Sequence, residues 1–366
     1  MPKKDSLRDR LRKAGIRHYD ELIHDQTKEW LIKNFNQGAT DYPVNVACLM
    51  RNIVWQTRER IIAGEKPPLK ELLRTFWYMY IKPTLSRAGA LSKDRDQYKD
   101  LIKNIVDMVK ECQVMKYKDI GFRDDNQVHR KVGGNANIIL FSEKLGHQEF
   151  LSDIADKYNV SIIALGGQPS VLNTEYFVDT LKQAKINLQR SFYLFSIVDY
   201  DTSGWIIRNA FMDNLRFYGI PNTRVIDLIH PDMLTPEEIK FSRVLIPDNE
   251  SMRIKNKNWL KEVHKRDYKN QQYLEETKKD KKILYGLEAA AISSKRLTEE
   301  LEKEMVPLIG KSEDLLKIFE LKKLDKATKG YPFPFFKVPC YLCQNKFYNL
   351  PCFGLGEKES LSNSNG

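Results

Sequence analysis

Residues 45–63 (NVACLMRNIVWQTRERIIA) space Val46, Leu49, Ile53 and Arg60 for an amphipathic helix. Gly64 and the Pro67-Pro68 pair stop it. LKELLRTFWYMYI (69–81) predicts a second helix that Pro83 ends, and residues 96–112 predict a third. VMKYKDIGF and KVGGNANIIL follow as a short β-rich wing. Helix, break, helix, helix and wing is the order of a winged helix-turn-helix, which sets a helix against a DNA groove. Ahead of it lie about forty polar and basic residues. Their apolar positions Leu22, Ile23, Trp30, Leu31 and Ile32 predict a short helical arm.

From about Asn135 the pattern becomes α/β. Ile138-Ile139-Leu140-Phe141, residues 161–165 and YLFSIV (193–198) read as buried strands. Residues 146–158, 175–184 and 203–215 read as helices between and after them. Such alternation predicts a mostly parallel sheet, with its chemistry just beyond the carboxyl ends of the strands. Glu143, Asp199 and Asp201 fall there. Beyond residue 220 the pattern weakens. Residues 255–282 read as a solvated helix or a mobile segment, 283–308 and 312–324 as amphipathic helices, and the end of the Pro- and aromatic-rich tail as disordered. The expected organisation is an α/β multidomain chain: an arm (1–42), a winged-helix domain (43–134), an α/β domain with a helical C-terminal part (135–325) and a tail (326–366).

Composition sharpens this. The chain has 366 residues, room for two or three domains at roughly 100–200 residues each. Its 42 % hydrophobic content excludes a wholly disordered chain. Lys and Arg number 60 against 49 Asp and Glu, a net charge of +11. That surplus fits an anionic partner such as nucleic acid, an acidic membrane surface or a phosphate-rich ligand; an AT-rich genome produces it too. Five cysteines, odd and sparse, point to a reducing intracellular compartment. MPKKDSLRDRLRKAG has no apolar core of a secretory signal, and no apolar run reaches the roughly 20 residues of a membrane span. Cys340, Cys343 and Cys352 make half of a zinc spacing with no histidine beyond His264 to complete it; packing or a bridge between subunits is the other reading.

Three constellations carry chemistry. Asp199-Tyr200-Asp201-Thr202-Ser203-Gly204, with Glu143 of FSEK, sets three carboxylates at two strand ends, the oxygen donors that suit Mg²⁺. An Asp helix cap followed by a turn is the structural alternative. Arg74 and Tyr78 are i and i+4 on one helical face, a cation beside a phenol nucleophile; packing of Phe76, Trp77 and Tyr78 in a core is the alternative. Gly166-Gly167-Gln168-Pro169-Ser170 follows a strand and reads as a phosphate-facing loop or an ordinary turn. No GxxxxGK[ST] loop for nucleotide hydrolysis is present.

In order and spacing these blocks resemble the A subunit of type IIB DNA topoisomerases (the topoisomerase VI group) and the related meiotic double-strand-break transesterase. MRNIVWQTRERIIAGEKPPLKELLRTFWYMY is similar to the family's helix, loop and helix ending in R-x-x-Y-Y, with Arg74 at the Arg, Trp77 at the first Tyr and Tyr78 at the catalytic Tyr. IILFSEK resembles the first Toprim strand with its Glu. LGGQPSVLNTEYFVDTLKQ and FYLFSIVDYDTSGWIIRNAF resemble the G-x-G-x-P-x-x-x-T-R and D-x-D-P-x-G blocks, and YGLEAA the late E-x-E-A-L helix. Thr202 replaces the family Pro, Asn173-Thr174-Glu175 stand where T-R is usual, and the cysteine-containing tail has no counterpart.

The resemblance implies a Toprim domain after the winged helix and a Mg²⁺-dependent DNA-cleaving transesterase working as a homodimer on double-stranded DNA. Tyr78 would form a 5′-phosphotyrosyl bond, Arg74 would neutralise charge, and Glu143, Asp199 and Asp201 of the other protomer would hold the metal, Glu143 also moving protons. A separate ATPase subunit would drive any strand passage. Arg58, Arg60, Lys66, Arg74, Lys82, Arg87, Arg123, Arg130 and Lys131 are the expected DNA contacts. The alternatives are a Toprim nuclease that hydrolyses DNA without a covalent intermediate and a non-catalytic winged-helix DNA-binding protein.

Overall fold

A computed structural model describes residues 5–36, 42–124, 128–167, 169–278 and 281–309. Gln168, the helix expected over 312–324, and the cysteines and aromatics of the tail lie outside the described residues. The chain divides into two compact units. The first comprises residues 1–128, 166–180 and 210–221; the second comprises 129–165, 181–209 and 222 onward.

The first unit contains α1 (Leu7–Lys13), α2 (Lys28–Phe35), α3 (Val46–Ile62), α4 (Leu73–Phe76), α5 (Lys82–Arg87), α6 (Gln97–Lys110) and α7 (Tyr117–Ile120). Asn45 caps α3 by accepting from the Cys48 N–H at 2.9 Å. Leu49, Ile53, Leu101, Ile105 and Met108 are completely buried where α3 packs on α6. Each such aliphatic side chain stabilises the fold by about 1.5–3 kcal/mol.

The arm is part of this core. Ile23, Leu31 and Phe35 are buried in it. Asn52 and Gln56, one turn apart on α3, hold the arm's main chain. Asn52 accepts from Arg17 N–H at 2.8 Å and donates to Gly15 O at 2.9 Å. Gln56 accepts from Ile23 N–H at 3.0 Å and donates to Tyr19 O and Glu21 O. Buried amides persist only when both ends are bonded, and these are.

The helix expected over 69–81 is shifted. Residues 69–72 lie outside the helix, with Lys70 at φ +53° and Leu72 bridged to Arg123, and the helix starts at Leu73. It then passes through Pro83 to Arg87 by way of a π-helical turn, Trp77–Ile81. Proline in a helix removes a donor and crowds the carbonyl four residues back. The wider turn, in which Lys82 N–H reaches Trp77 O, accommodates both demands.

The second unit is built on a mostly parallel five-stranded sheet. Its strands are β1 (Val128–Lys131), β2 (Asn135–Ser142), β3 (Val160–Leu165), β4 (Phe192–Ile197) and β5 (Thr223–Asp227), in the order β1-β3-β2-β4-β5. Central β2 runs parallel to β3 (Phe141 opposite Ile163) and to β4 (Phe141 opposite Ser196); β5 runs parallel to β4. Every residue of β2 and β3 is buried, the continuous apolar run of a strand covered on both faces. Of the residues expected as a wing, VMKYKDIGF contains α7, and KVGGNANIIL contributes the end of β1 and most of β2, the central strand of this sheet.

α8 (Gln148–Tyr158) links β2 to β3. α9 (Val171–Gln183) follows β3, starting four residues before the expected 175, and α10 (Thr202–Phe217) follows β4. In α9, buried Glu175 accepts from Tyr117 N–H, Lys118 N–H and the Tyr218 hydroxyl at 2.9–3.2 Å. Burial raises its pKa despite those donors. Glu175 is therefore a fastener of the first unit, to which residues 166–180 and 210–221 belong.

Past residue 220 the order is fuller than the pattern predicts. α11 (Pro236–Ser242), β6 (Arg243–Leu245), α12 (Glu250–His264), β7 (Glu275–Lys278), β8 (Lys281–Leu287) and α13 (Ser294–Met305) follow. β6, β8 and β7 form an antiparallel sheet. The reading of 255–282 as a solvated helix or mobile segment is corrected, because Trp259 and Val263 anchor α12 in the core. The helix expected over 283–308 splits. Residues 281–287 pair as a strand, and only Ser294 to Met305 are helical, with Leu297, Leu301 and Met305 buried. YGLEAA is thus strand and a 3-10 turn, Ala289–Ala291, not a helix. Among the described residues no helix is long and apolar enough to cross a membrane.

Candidate active site

Parallel pairing of β2 with β4 ends both strands at the same edge, Ser142 opposite Ile197. Glu143 and Asp199 leave that edge together. Glu143 Oε1 accepts from Asp199 N–H at 3.0 Å, and their carboxyl groups share a hydrogen bond. Glu143 is 8 % exposed. Burial, and then the neighbouring Asp199 carboxylate, push its pKa up to about 7. Lys144 Nζ sits 2.8 Å from Asp199 Oδ1, and Ala289 N–H donates to the same oxygen at 2.7 Å. Burial works against the Lys144 charge, but Asp199 outweighs it and the ammonium is favoured. Asp201 Oδ1 accepts from Gly204 N–H at 2.7 Å, so Asp201 also serves as a helix cap; burial raises its pKa. Thr202, where the resembled family has Pro, is buried and donates to Asn256 Oδ1 at 2.7 Å.

The expected metal ligands Glu143, Asp199 and Asp201 therefore share one strand edge. Among the described residues no three His, Cys, Asp or Glu side chains stand ready as a ligand set. Lys144 supplies the positive charge beside Asp199. The donor chemistry still fits a hard divalent ion, since carboxyl groups held together and pushed toward protonation are relieved by such a cation.

Lys144, Gly286 and Ala289 belong to the site and escaped the sequence reading. Lys144 was legible as the neighbour of Glu143. Ala289 lies 90 residues from Asp199 and contributes only its main chain. The loop at 199–201 is bonded to β8 through reciprocal Tyr200–Leu287 main-chain bonds of 2.8 and 3.1 Å. A Cβ on Gly286 would lie 2.7 Å from Tyr200 O and 2.8 Å from Asp201 Cβ. One on Gly204 would overlap the Asp199 carbonyl oxygen. Gly204→Ala is therefore expected to lower stability by about 2–4 kcal/mol, measured by denaturant unfolding, since helix or loop must shift.

The Glu143 shift has a pH consequence. The unfolded carboxyl titrates near 4.3 and the folded one near 7, so between these values the folded state holds the extra proton. Stability contributed below the unfolded pKa is lost as pH rises through that window. The loss is on the order of 1–3 kcal/mol. Glu143→Gln should flatten that portion of a stability-versus-pH curve; an unchanged slope contradicts the assignment.

In the first unit, the π-helical turn sorts the aromatic run. Phe76 and Trp77 are buried, against Phe122 and Tyr98 respectively, while Tyr78 is 54 % exposed. Lys82 Nζ lies 5.1 Å from the Tyr78 ring centre. Arg74 lies over the Tyr98 ring at 5.0 Å. Tyr80 is half-buried, and Lys66 Nζ donates to its hydroxyl at 2.8 Å. The core reading thus holds for Phe76 and Trp77 and not for Tyr78.

Of the expected DNA contacts, Arg58, Arg60, Lys66, Arg87 and Lys131 make bonds within the chain. Arg58 pairs with Asp119 at 2.8 Å, and Arg60 with Glu65 at 3.2 Å and with Asp20 O. Arg87 donates to His24 O and Gln26 O, and Lys131 pairs with Asp156. Lys82, Arg123 and Arg130 are exposed. The chain matches no family model, and no curated protein matches it.

Proposed function

We propose that the chain is a DNA-cleaving transesterase, with a helical DNA-binding unit carrying Tyr78 and a Toprim unit carrying Glu143, Asp199 and Asp201. The observation that carries this reading is the common edge of parallel strands β2 and β4, from which Glu143 and Asp199 emerge within hydrogen-bond reach of one another. Exposure of Tyr78 on a π-helical turn adds to it.

In this reading the Tyr78 oxygen bonds to a backbone phosphorus and the bond to O3′ breaks. The phenol loses its proton and O3′ gains one. Glu143, half-protonated near neutral pH, suits that transfer. Lys82 beside the Tyr78 ring, and Arg74 four residues before Tyr78, would supply positive charge for the phosphate. Glu143, Asp199 and Asp201 would hold Mg²⁺, which when bound supplies a hard positive charge for phosphate oxygens. In a homodimer each protomer cuts one strand of double-stranded DNA, and a separate ATPase subunit would be needed for strand passage.

The test is a protein–DNA adduct that survives denaturation, formed with Mg²⁺ and lost with chelator. Cleavage without an adduct would favour a hydrolytic Toprim nuclease, the reading toward which the placement of Arg74 over Tyr98 leans. DNA binding with neither cleavage nor adduct overturns both.

A further inference from the structure

Next to the carboxylate edge, wholly within the second unit, lies a small cleft, open to solvent, with ≈ 30 Å³ of free space. Tyr200, Trp205, Arg208, Asp227, Trp259 and Arg266 line it. Asp227 ends β5, where β5 pairs with β4, so the cleft opens at the same strand edge as Asp199. Arg208 of α10 and Arg266 just past α12 both donate to one oxygen, Asp227 Oδ2. Asp227 Oδ1 is buried without a hydrogen-bond partner.

One carboxylate thus holds two guanidiniums that repel each other, and the trio carries a net positive charge. Arg208 is 8 % exposed and its remaining nitrogens are taken by Asn209 at 3.0–3.2 Å. The Arg266 side chain is 33 % exposed. The other charges at the cleft are already engaged. Asp199 is held by Lys144 and Ala289 N–H, Asp201 by Gly204 N–H, and Glu262 by Lys265 at 2.8 Å. Arg266, bonded to Asp227 and to the Tyr268 side chain, is the cation of the trio that still meets solvent. Guanidinium forks match tetrahedral oxyanions, and an indole such as half-buried Trp205 suits a base attached to one.

We propose that this cleft is a nucleotide-phosphate subsite, in which Arg266, positioned by Asp227 against Arg208, takes the phosphate beside Trp205. The phosphate belongs either to a DNA strand or to a free nucleotide. In the DNA case the proposal rests on the function proposed above; in the other it does not.

Binding of the full chain to a short labelled single-stranded oligonucleotide, and separately to AMP, is measured in EDTA. No cleavage or Tyr78 adduct enters the result, so failure of the transesterase reading leaves this test intact. Arg266→Gln is expected to weaken binding about tenfold, the worth of one charge-assisted bond. Arg266→Lys should recover part of it. Weakening for the oligonucleotide alone assigns the phosphate to a strand; weakening for AMP alone assigns it to a free nucleotide. If Arg266→Gln keeps its melting temperature and binds both probes as the wild type does, the proposal is overturned. If that variant does not fold, titration of the wild-type chain with AMP and with the oligonucleotide decides: tryptophan emission unchanged by both overturns the proposal.

Discussion

Tyr78→Phe is expected to abolish the covalent protein–DNA adduct completely while leaving the fold and duplex binding intact. The substitution deletes one hydroxyl from a side chain more than half exposed, and the ring keeps its place beside Lys82. Nothing buried is lost, so the melting temperature should move little. Tyr80→Phe is the informative contrast. It removes the hydroxyl to which Lys66 donates at 2.8 Å, and should lower stability by about 1 kcal/mol while preserving the adduct. The reverse pattern, with Tyr80 essential and Tyr78 dispensable, would move the nucleophile to the other tyrosine. An adduct that survives both substitutions removes this helix from the chemistry.

Asp199→Asn is expected to reduce Mg²⁺-dependent cleavage by about a hundredfold or more. It takes the negative charge from between Glu143 and Lys144 and leaves Lys144 without its carboxylate. Glu143 then loses a like-charged neighbour and ionises at lower pH, so the pH dependence of any residual activity should shift downward. Calorimetric titration with Mg²⁺ distinguishes the possibilities. An Asp199→Asn, Asp201→Asn double variant with the wild-type isotherm would sink the metal assignment. DNA affinity measured without metal should stay near wild type, since the variant removes negative charge near phosphate.

Local patterns were legible where one element decides its own form. The helix predicted over 45–63 is found as Val46–Ile62, and the three buried strands emerge within a few residues of their predicted limits. Glu143 and Asp199 could be placed at strand ends because parallel strands flanked by helices share a carboxyl edge. What stayed hidden depends on partners distant in sequence. Nothing local shows that ILYGL pairs as a strand between β6 and β7, and its apolar positions read equally well as the start of a helix. Pro83 argues for a helix end until the π-helical turn before it is seen. Lys82 stands four residues after Tyr78, so ordinary helical spacing already makes the two neighbours, and that contact was within reach of the sequence.

The junction between the 199–201 loop and β8 is made by main-chain bonds of Tyr200 and Leu287 flanking a glycine that has no room for a side chain. Hydrogen bonds of that kind are indifferent to side-chain identity. Over evolutionary time the side chain at 287 is therefore free to exchange for another that fills the same apolar space, whereas Gly286 is pinned by lack of room and Tyr200 by the buried hydroxyl it donates to Gln271 at 2.8 Å. Descendants of this sequence should vary at 287 and keep the glycine, so a single small residue in the C-terminal third marks an intact carboxylate loop.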